Sequence, residues 1–151
     1  MVNRGKQFED IIKQCFLKVP NVSVDRLHDQ TTGYMGSSNI CDFIVYKKPY
    51  EWYIECKSVK GASLPFVNIT DTQWNGLLEK SKIRGVNAGI MCWFIDKDIT
   101  VWIPMYQLEF LRKEFNKKSI NYQELDAANV ITGIKKRVFF EYDMEEFLNR
   151  W

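Results

Sequence analysis

Ile40-Cys41-Asp42-Phe43-Ile44-Val45-Tyr46 and Glu51-Trp52-Tyr53-Ile54-Glu55-Cys56-Lys57-Ser58-Val59 decide how this chain is read. Both runs are short, apolar and rich in β-branched and aromatic residues, which predicts two strands. Lys47-Lys48-Pro49-Tyr50 between them predicts a turn, because Pro49 has no N–H to give to a ladder. Side chains alternate across a strand. Trp52, Ile54, Cys56 and Ser58 therefore share one face, and Tyr53, Glu55, Lys57 and Val59 the other. Glu55 and Lys57 project together, about 7 Å apart. If Phe43 and Val45 pack inward with Ile54, Asp42 faces the same cleft as Glu55. Two carboxylates and an ammonium on one surface suit metal-dependent phosphodiester hydrolysis. The carboxylates hold a hard cation, the cation polarises a phosphate, and the lysine meets the negative charge that builds. From these two strands alone, a solvated hairpin face with one surface ion pair reads equally well.

Outward from this pair the pattern is α+β. Residues 4–18 predict an amphipathic helix with Phe8, Ile11, Ile12, Cys15 and Phe16 on its apolar side, ended by Pro20 and Asn21. Val22 to Leu27 reads as a strand and 28–39, with Gly33 and Gly36, as a loop. Residues 60–69 read as a loop. Thr70 or Asp71 caps a helix reaching about Lys82, with Trp74, Leu77 and Leu78 inward. Residues 86–95 and 99–103 read as strands, 105–115 as a helix, 137–142 as a strand and 144–151 as a short last helix. Residues 116–136 give no clear period. The expected architecture is α/β (α+β): a central mixed β-sheet with helices on both faces, in one domain over 1–151.

Composition narrows the function. The 151 residues are 46% hydrophobic and 15% aromatic, which implies a real core. Net charge is only +2, so affinity for nucleic acid must come from a local arrangement of the 21 Lys and Arg. The longest apolar stretch, Gly89 to Ile95, is too short to span a bilayer, and the first ten residues lack the apolar core of a signal peptide. The expected location is the cytoplasm. Cys15, Cys41, Cys56 and Cys92 form no CxxC pair and sit in apolar segments, which predicts buried free thiols. The single histidine, His28, excludes His-metal centres and multi-histidine nucleases, and no GxSxG elbow accompanies it. Gly5-Lys6 lacks the upstream glycine of a phosphate-binding loop.

Two further positions belong with the carboxylates. Glu9 lies beside the apolar stripe of the first helix, where it can reach over a sheet edge or simply pair with Lys13 at i+4. Gln73 sits on the first turn of the helix after the Glu-x-Lys strand. Taken in order, Asn3-Arg4-Gly5-Lys6-Gln7-Phe8-Glu9, Asp42, Glu55-Cys56-Lys57, Ser63-Leu64-Pro65-Phe66-Val67-Asn68 and Gln73 resemble the RecU family, Holliday-junction resolvases of the PD-(D/E)xK nuclease superfamily. The resemblance covers about the first half of the chain.

The resemblance implies a restriction-endonuclease-like core and roles for these residues. Asp42 and Glu55, with the backbone carbonyl of Cys56, would bind Mg²⁺ or Mn²⁺. Glu9 would complete the acidic site directly or through a metal-bound water. Lys57 would orient or activate the attacking water, and Gln73 would position lysine, water or phosphate. The reaction would be hydrolysis of a DNA phosphodiester to a 5′-phosphate and a 3′-hydroxyl. A homodimer would nick a four-way junction symmetrically, with a recombinase as a further partner. Arg4, Lys6, Arg26, Lys60, Ser63, Lys82 and Arg84 would meet the DNA backbone; Arg26, Tyr34 and Met35 are candidates for contact with unstacked bases, and Tyr34 equally for capping the core. The family's long stalk before the strand of the catalytic Asp is here reduced to residues 28–39, as in a compact, phage-encoded member. The alternatives are another PD-(D/E)xK endonuclease of branched-DNA or restriction type, a non-catalytic DNA-binding or recombination partner module, or an interaction protein whose acidic residues are incidental.

Overall fold

Phe8, Ile12, Cys15 and Phe16 recur at helical spacing, and burying them drives the first helix, α1 (Arg4–Leu17), onto the sheet. Asn3 caps it by accepting the Lys6 N–H at 3.1 Å. The computed structural model describes residues 3–27 and 39–151. His28, Tyr34, Met35 and nearly all of the 28–39 segment lie outside the described residues.

Strands β1 (Ser23–Arg26), β2 (Phe43–Lys47) and β3 (Tyr50–Val59) form an antiparallel meander. The register sets Phe43 opposite Ile54 and Val45 opposite Trp52, so four apolar side chains turn to the α1 face together. After β3 come a short strand, β4 (Ser63–Pro65), and helix α2 (Asp71–Ser81). Strand β5 (Val86–Phe94) then pairs parallel to β3, and β6 (Ile99–Pro104) closes the edge antiparallel to β5. The five-stranded order is β1-β2-β3-β5-β6, the expected mixed sheet. Helix α3 (Met105–Phe115) packs with α2 on one face. Helix α4 (Met144–Arg150) joins α1 on the other. Trp52, Trp93 and Trp102 are fully buried in the α1 face. All four cysteines are buried free thiols, as their apolar contexts predict.

Three regions differ from the sequence reading. The 60–69 loop contains β4 and a 3₁₀ turn at Phe66–Asn68. The aperiodic 116–136 region supplies β7 (Ser119–Asn121), which pairs with β4, and β8 (Gly133–Lys135). The strand expected over 137–142 is shorter, β9 (Phe140–Tyr142), and pairs with β8 rather than joining the central sheet. Each is a three-residue strand defined by a partner elsewhere in the chain, too short to leave a period of its own. Among the described residues no helix is long and apolar enough to cross a membrane.

Candidate active site

Asp42 stands one residue ahead of β2, and its backbone is fixed on both sides. Its N–H donates to the Ile54 carbonyl at 3.0 Å, and its carbonyl accepts the Leu27 N–H at 2.7 Å. The side chain reaches β3, where Oδ2 accepts the Cys56 N–H at 2.9 Å. Glu55 is buried at 5% exposure, and its carboxyl lies within hydrogen-bonding reach of Asp42. Burial first, then the Asp42 charge, push the Glu55 carboxyl up to about 8, against the pull of Lys57. Burial also raises Asp42, opposed by the Cys56 N–H, Lys57 and Arg26. Burial and the neighbouring carboxyl thus favour a shared proton on the pair more than on an ordinary Asp or Glu.

Lys57 Nζ lies 3.1 Å from Glu55 Oε2 and donates to Gln73 Oε1 at 3.3 Å. Gln73 Nε2 in turn donates to Glu55 Oε2 at 3.0 Å, closing a three-residue ring. Gln73 is also half of a capping box on α2. Its N–H donates to Thr70 Oγ1 at 3.2 Å, and its Oε1 accepts the Thr70 N–H at 3.1 Å. One side chain thus starts the helix and orients the ammonium. Gln73→Ala should cost about 1 kcal/mol of stability through the lost cap. Cleavage at saturating metal should fall by about tenfold, the cost of roughly 1.4 kcal/mol in positioning Lys57. A variant that loses stability but keeps full activity would reduce Gln73 to a cap.

The next residue ties α2 down. Trp74 Nε1 donates to Glu109 Oε2 at 2.5 Å, and the Arg112 guanidinium lies 4.1 Å over the indole. Burial would raise the Glu109 carboxyl, but Trp74, Lys113 and Arg112 together outweigh it and hold it below its ordinary 4.5. A depressed carboxylate stabilises the fold above its unfolded pKa, and that contribution is lost as pH falls through the folded value. Glu109→Gln should therefore flatten the acid limb of stability below pH 4.5, read by denaturant midpoints against pH. Glu109→Ala, which strands the indole N–H, should cost about 1–3 kcal/mol.

Gly76 sits mid-helix on α2, where a Cβ would come within 2.3 Å of Ile40 Cγ2. Helix propensity favours alanine there by about 1 kcal/mol. Overpacking costs about 1–3 kcal/mol and wins, because neither α2 nor the backbone leading to Asp42 can retreat without disturbing the site. Gly76→Ala should lower the melting temperature and cut activity several-fold. A stabilised, fully active variant would contradict this.

Glu9 reaches the same cleft from α1. Its Oε2 accepts from Arg26 Nη2 at 2.5 Å, while Arg26 Nη1 holds Asp10 at 2.7 Å. The Lys13 pairing open to Glu9 in the sequence is replaced by a strand-to-helix bridge, which only tertiary packing reveals. Arg26, expected at the DNA backbone, is committed to these two carboxylates. The cleft, about 560 Å³, is lined by Asn3, Gly5, Lys6, Glu9, Arg26, Leu27 and Asp42. The first turn of α1 carries Arg4 and Lys6 and no acid. Cations there oppose the helix dipole at about 0.3–1 kcal/mol each, tolerated because each buried apolar side chain returns about 1.5–3 kcal/mol. Helix stability does not account for their place beside the cleft.

The structure thus brings Glu9, Asp42, Glu55, Lys57 and Gln73 to one end of the molecule, with Lys6 and Arg26 lining the same cleft, while Arg4, on the first turn of α1, lies over Phe139. Lys60 is exposed just past β3, and Ser63 pairs with Asn121 in the β4–β7 ladder. Lys82 and Arg84 lie beyond the far end of α2, roughly 13 Å or more along its axis from Gln73, and Lys82 pairs with Glu79. They are not part of the cluster. Tyr34 lies outside the described residues.

The donor set fits a hard divalent cation. Two carboxyls this close and this buried repel unless one is protonated or a cation neutralises them. Among the described residues no cluster of three or more His, Cys, Asp or Glu is placed to hold a metal. Mg²⁺ keeps several waters and takes only one or two carboxylates, so Asp42 and Glu55 meet its requirement.

The model of the family described as "RecU: Recombination protein U" matches residues 3–145. No curated protein matches in sequence. Among solved structures, the chain is similar to Archaeoglobus fulgidus Hjc, described as a Holliday junction resolvase from an archaeal hyperthermophile. The TM-score is 0.55 at 17% identity, over 79% of this chain and 89% of that one. At that identity the likeness concerns the fold.

Proposed function

This chain belongs to the RecU family of Holliday-junction resolvases, and we propose that it works as a Mg²⁺-dependent endodeoxyribonuclease, with Mn²⁺ able to substitute, that leaves 5′-phosphate and 3′-hydroxyl ends. The observation that carries this reading is the buried Asp42–Glu55 pair with Lys57 held between Glu55 and Gln73. Asp42, Glu55 and the Cys56 carbonyl would hold the cation, with Glu9 acting through a water. When bound, such an ion polarises the scissile phosphate and acidifies its water.

The chain's own residues do the rest. Glu55 would hold the cation as the carboxylate, so burial that favours its neutral form should make binding tighter at higher pH. Lys57 donates to a non-bridging phosphate oxygen or to the attacking water, where charge develops in an in-line displacement. Gln73 keeps the ammonium from collapsing fully onto Glu55. Arg4 and Lys6 meet phosphates flanking the cleft, as does Lys60 beyond β3, while Arg26 keeps Glu9 in place. Two copies related by a two-fold axis would present two such sites to symmetric strands. A recombinase would deliver the junction.

End chemistry tests the reaction. Nicked product that DNA ligase seals without prior phosphorylation is expected. Product that ligates only after a kinase step would contradict the proposed direction of attack. Proton release on Mg²⁺ binding, read in weakly buffered solution, should be about one per site near neutral pH.

A further inference from the structure

The run Lys135-Lys136-Arg137 is left unused by the active-site reading. It forms the tip of the β8–β9 hairpin, in which only Glu141 carries a negative charge. β8 and β9 pair with each other and not with the central sheet, and residues 134–138 are exposed. The hairpin's root is nevertheless fixed. Phe139 packs on Trp93 at 5.3 Å between ring centroids, Phe140 stacks on Tyr142 at 5.8 Å, and Lys18 holds Glu141 at 2.8 Å.

The tip has a definite neighbour. The Arg4 guanidinium lies over the Phe139 ring at 5.6 Å, which sets the hairpin beside the first turn of α1. Asn3, Gly5 and Lys6 of that turn line the cleft that contains Asp42. Among the described residues, Arg4, Lys6 and Arg137 have no carboxylate partner. Lys135 is taken by Asp98 at 2.5 Å, whereas Lys136 reaches Glu141 only at 3.4 Å and stays 60% exposed. From the cleft outward, cations that have no carboxylate partner, or in Lys136 only a loose one, therefore continue over α1 onto the hairpin. Arg4 and Glu9 are separated by an axial rise of about 7.5 Å, close to two nucleotide steps of about 3.4 Å.

We propose that the β8–β9 hairpin is a second DNA contact, in which Lys136 and Arg137 meet backbone phosphates of the duplex arm that leaves the cleft over Arg4 and Lys6. This rests on the nuclease reading of the cleft. The contact is to phosphate rather than to bases, because the half-buried Phe139 and Phe140 rings are each already engaged by an aromatic and a cation of the protein, Trp93 and Arg4 for one, Tyr142 and Lys135 for the other. An unpaired guanidinium, and an ammonium held only loosely by Glu141 at 3.4 Å, on an anchored turn suit phosphate in any sequence.

The test uses the whole protein and a fluorescent four-way junction. Anisotropy is followed over a salt series for wild type, for Lys136→Gln/Arg137→Gln, and for Lys47→Gln/Lys48→Gln at the turn between β2 and β3. The hairpin variant should bind about tenfold more weakly at moderate salt, and its log–log salt slope should fall by about 2, close to 0.9 for each lost phosphate contact. Its cleavage rate at saturating enzyme should match wild type, and Lys47→Gln/Lys48→Gln should move neither quantity. In wild type, junction binding should protect Lys136 from acetylation. Unchanged affinity and slope, an equal loss in the Lys47→Gln/Lys48→Gln protein, or unprotected Lys136 would overturn the proposal and leave the hairpin for an acidic protein partner. A wild-type protein that binds the junction but never cuts it would sink the nuclease reading while leaving the hairpin contact standing.

Discussion

Asp42→Asn is expected to stop cleavage, by at least about 10³-fold, and to leave folding and DNA binding intact. The magnitude follows from losing a direct carboxylate ligand, since several kcal/mol of transition-state stabilisation depend on the cation and each 1.36 kcal/mol is tenfold in rate. The fold survives because an amide oxygen can still accept the Cys56 N–H that now bonds to Asp42 Oδ2 at 2.9 Å. Removing one of two close carboxylates also relieves repulsion, so the Glu55 carboxyl should fall back toward its ordinary range. The metal-free variant should be at least as stable as wild type. Thermal unfolding with and without Mg²⁺ supplies a second readout. Ligand binding to the native state raises wild-type stability, and that increment should vanish in the variant. A variant that cuts at more than about a hundredth of the wild-type rate would remove Asp42 from the metal site.

The second large effect is expected at Lys57. Replacing it with alanine should lower the single-turnover rate by about 10²–10³-fold, in line with loss of one donor aimed at developing charge. Metal affinity should persist, because Asp42 and Glu55 remain. This separates it from Asp42→Asn, where both affinity and rate are lost. The ammonium contacts both Glu55 and Gln73, so its removal leaves Gln73 Nε2 as the remaining side-chain donor to Glu55 Oε2. Lys57→Arg should recover little, since a planar fork cannot occupy the place of a point-like ammonium within 3.1 Å of one oxygen and 3.3 Å of another. Near-normal cleavage by Lys57→Ala would show that the water needs no help from this side chain.

Much of this site could be read from local sequence, for a definite reason. Strand alternation alone puts Glu55 and Lys57 on one side of β3, and a strict register with Phe43 opposite Ile54 turns Asp42 to them. The helix 105–115 and the strand pair around β5 likewise follow from short-range pattern. The dual role of Gln73 was half legible. Thr70-x-x-Gln73 is a capping-box signature, but the Lys57 contact depends on how α2 lies on β3. For Arg26 the resemblance implies a DNA contact, while its bridge to Glu9 and Asp10 depends on a helix that packing alone brings near. β4 and β7 are joined by Leu64 opposite Ile120, a pairing over more than fifty residues that no local window contains. Lys135-Lys136-Arg137 straddles the aperiodic region and the strand expected over 137–142, and its nearness to Arg4 runs through Phe139 and appears only in the fold.

The most direct test is cleavage of a labelled four-way junction beside linear duplex of the same sequence, with Mg²⁺, with Mn²⁺ and with chelator, and with Asp42→Asn as control. The account predicts paired, symmetric nicks in the junction alone, dependent on metal and on Asp42. Cutting of linear duplex at the same rate would make the protein a broader nuclease. Tight junction binding without any cleavage in either metal would contradict the mechanism built on Asp42, Glu55 and Lys57.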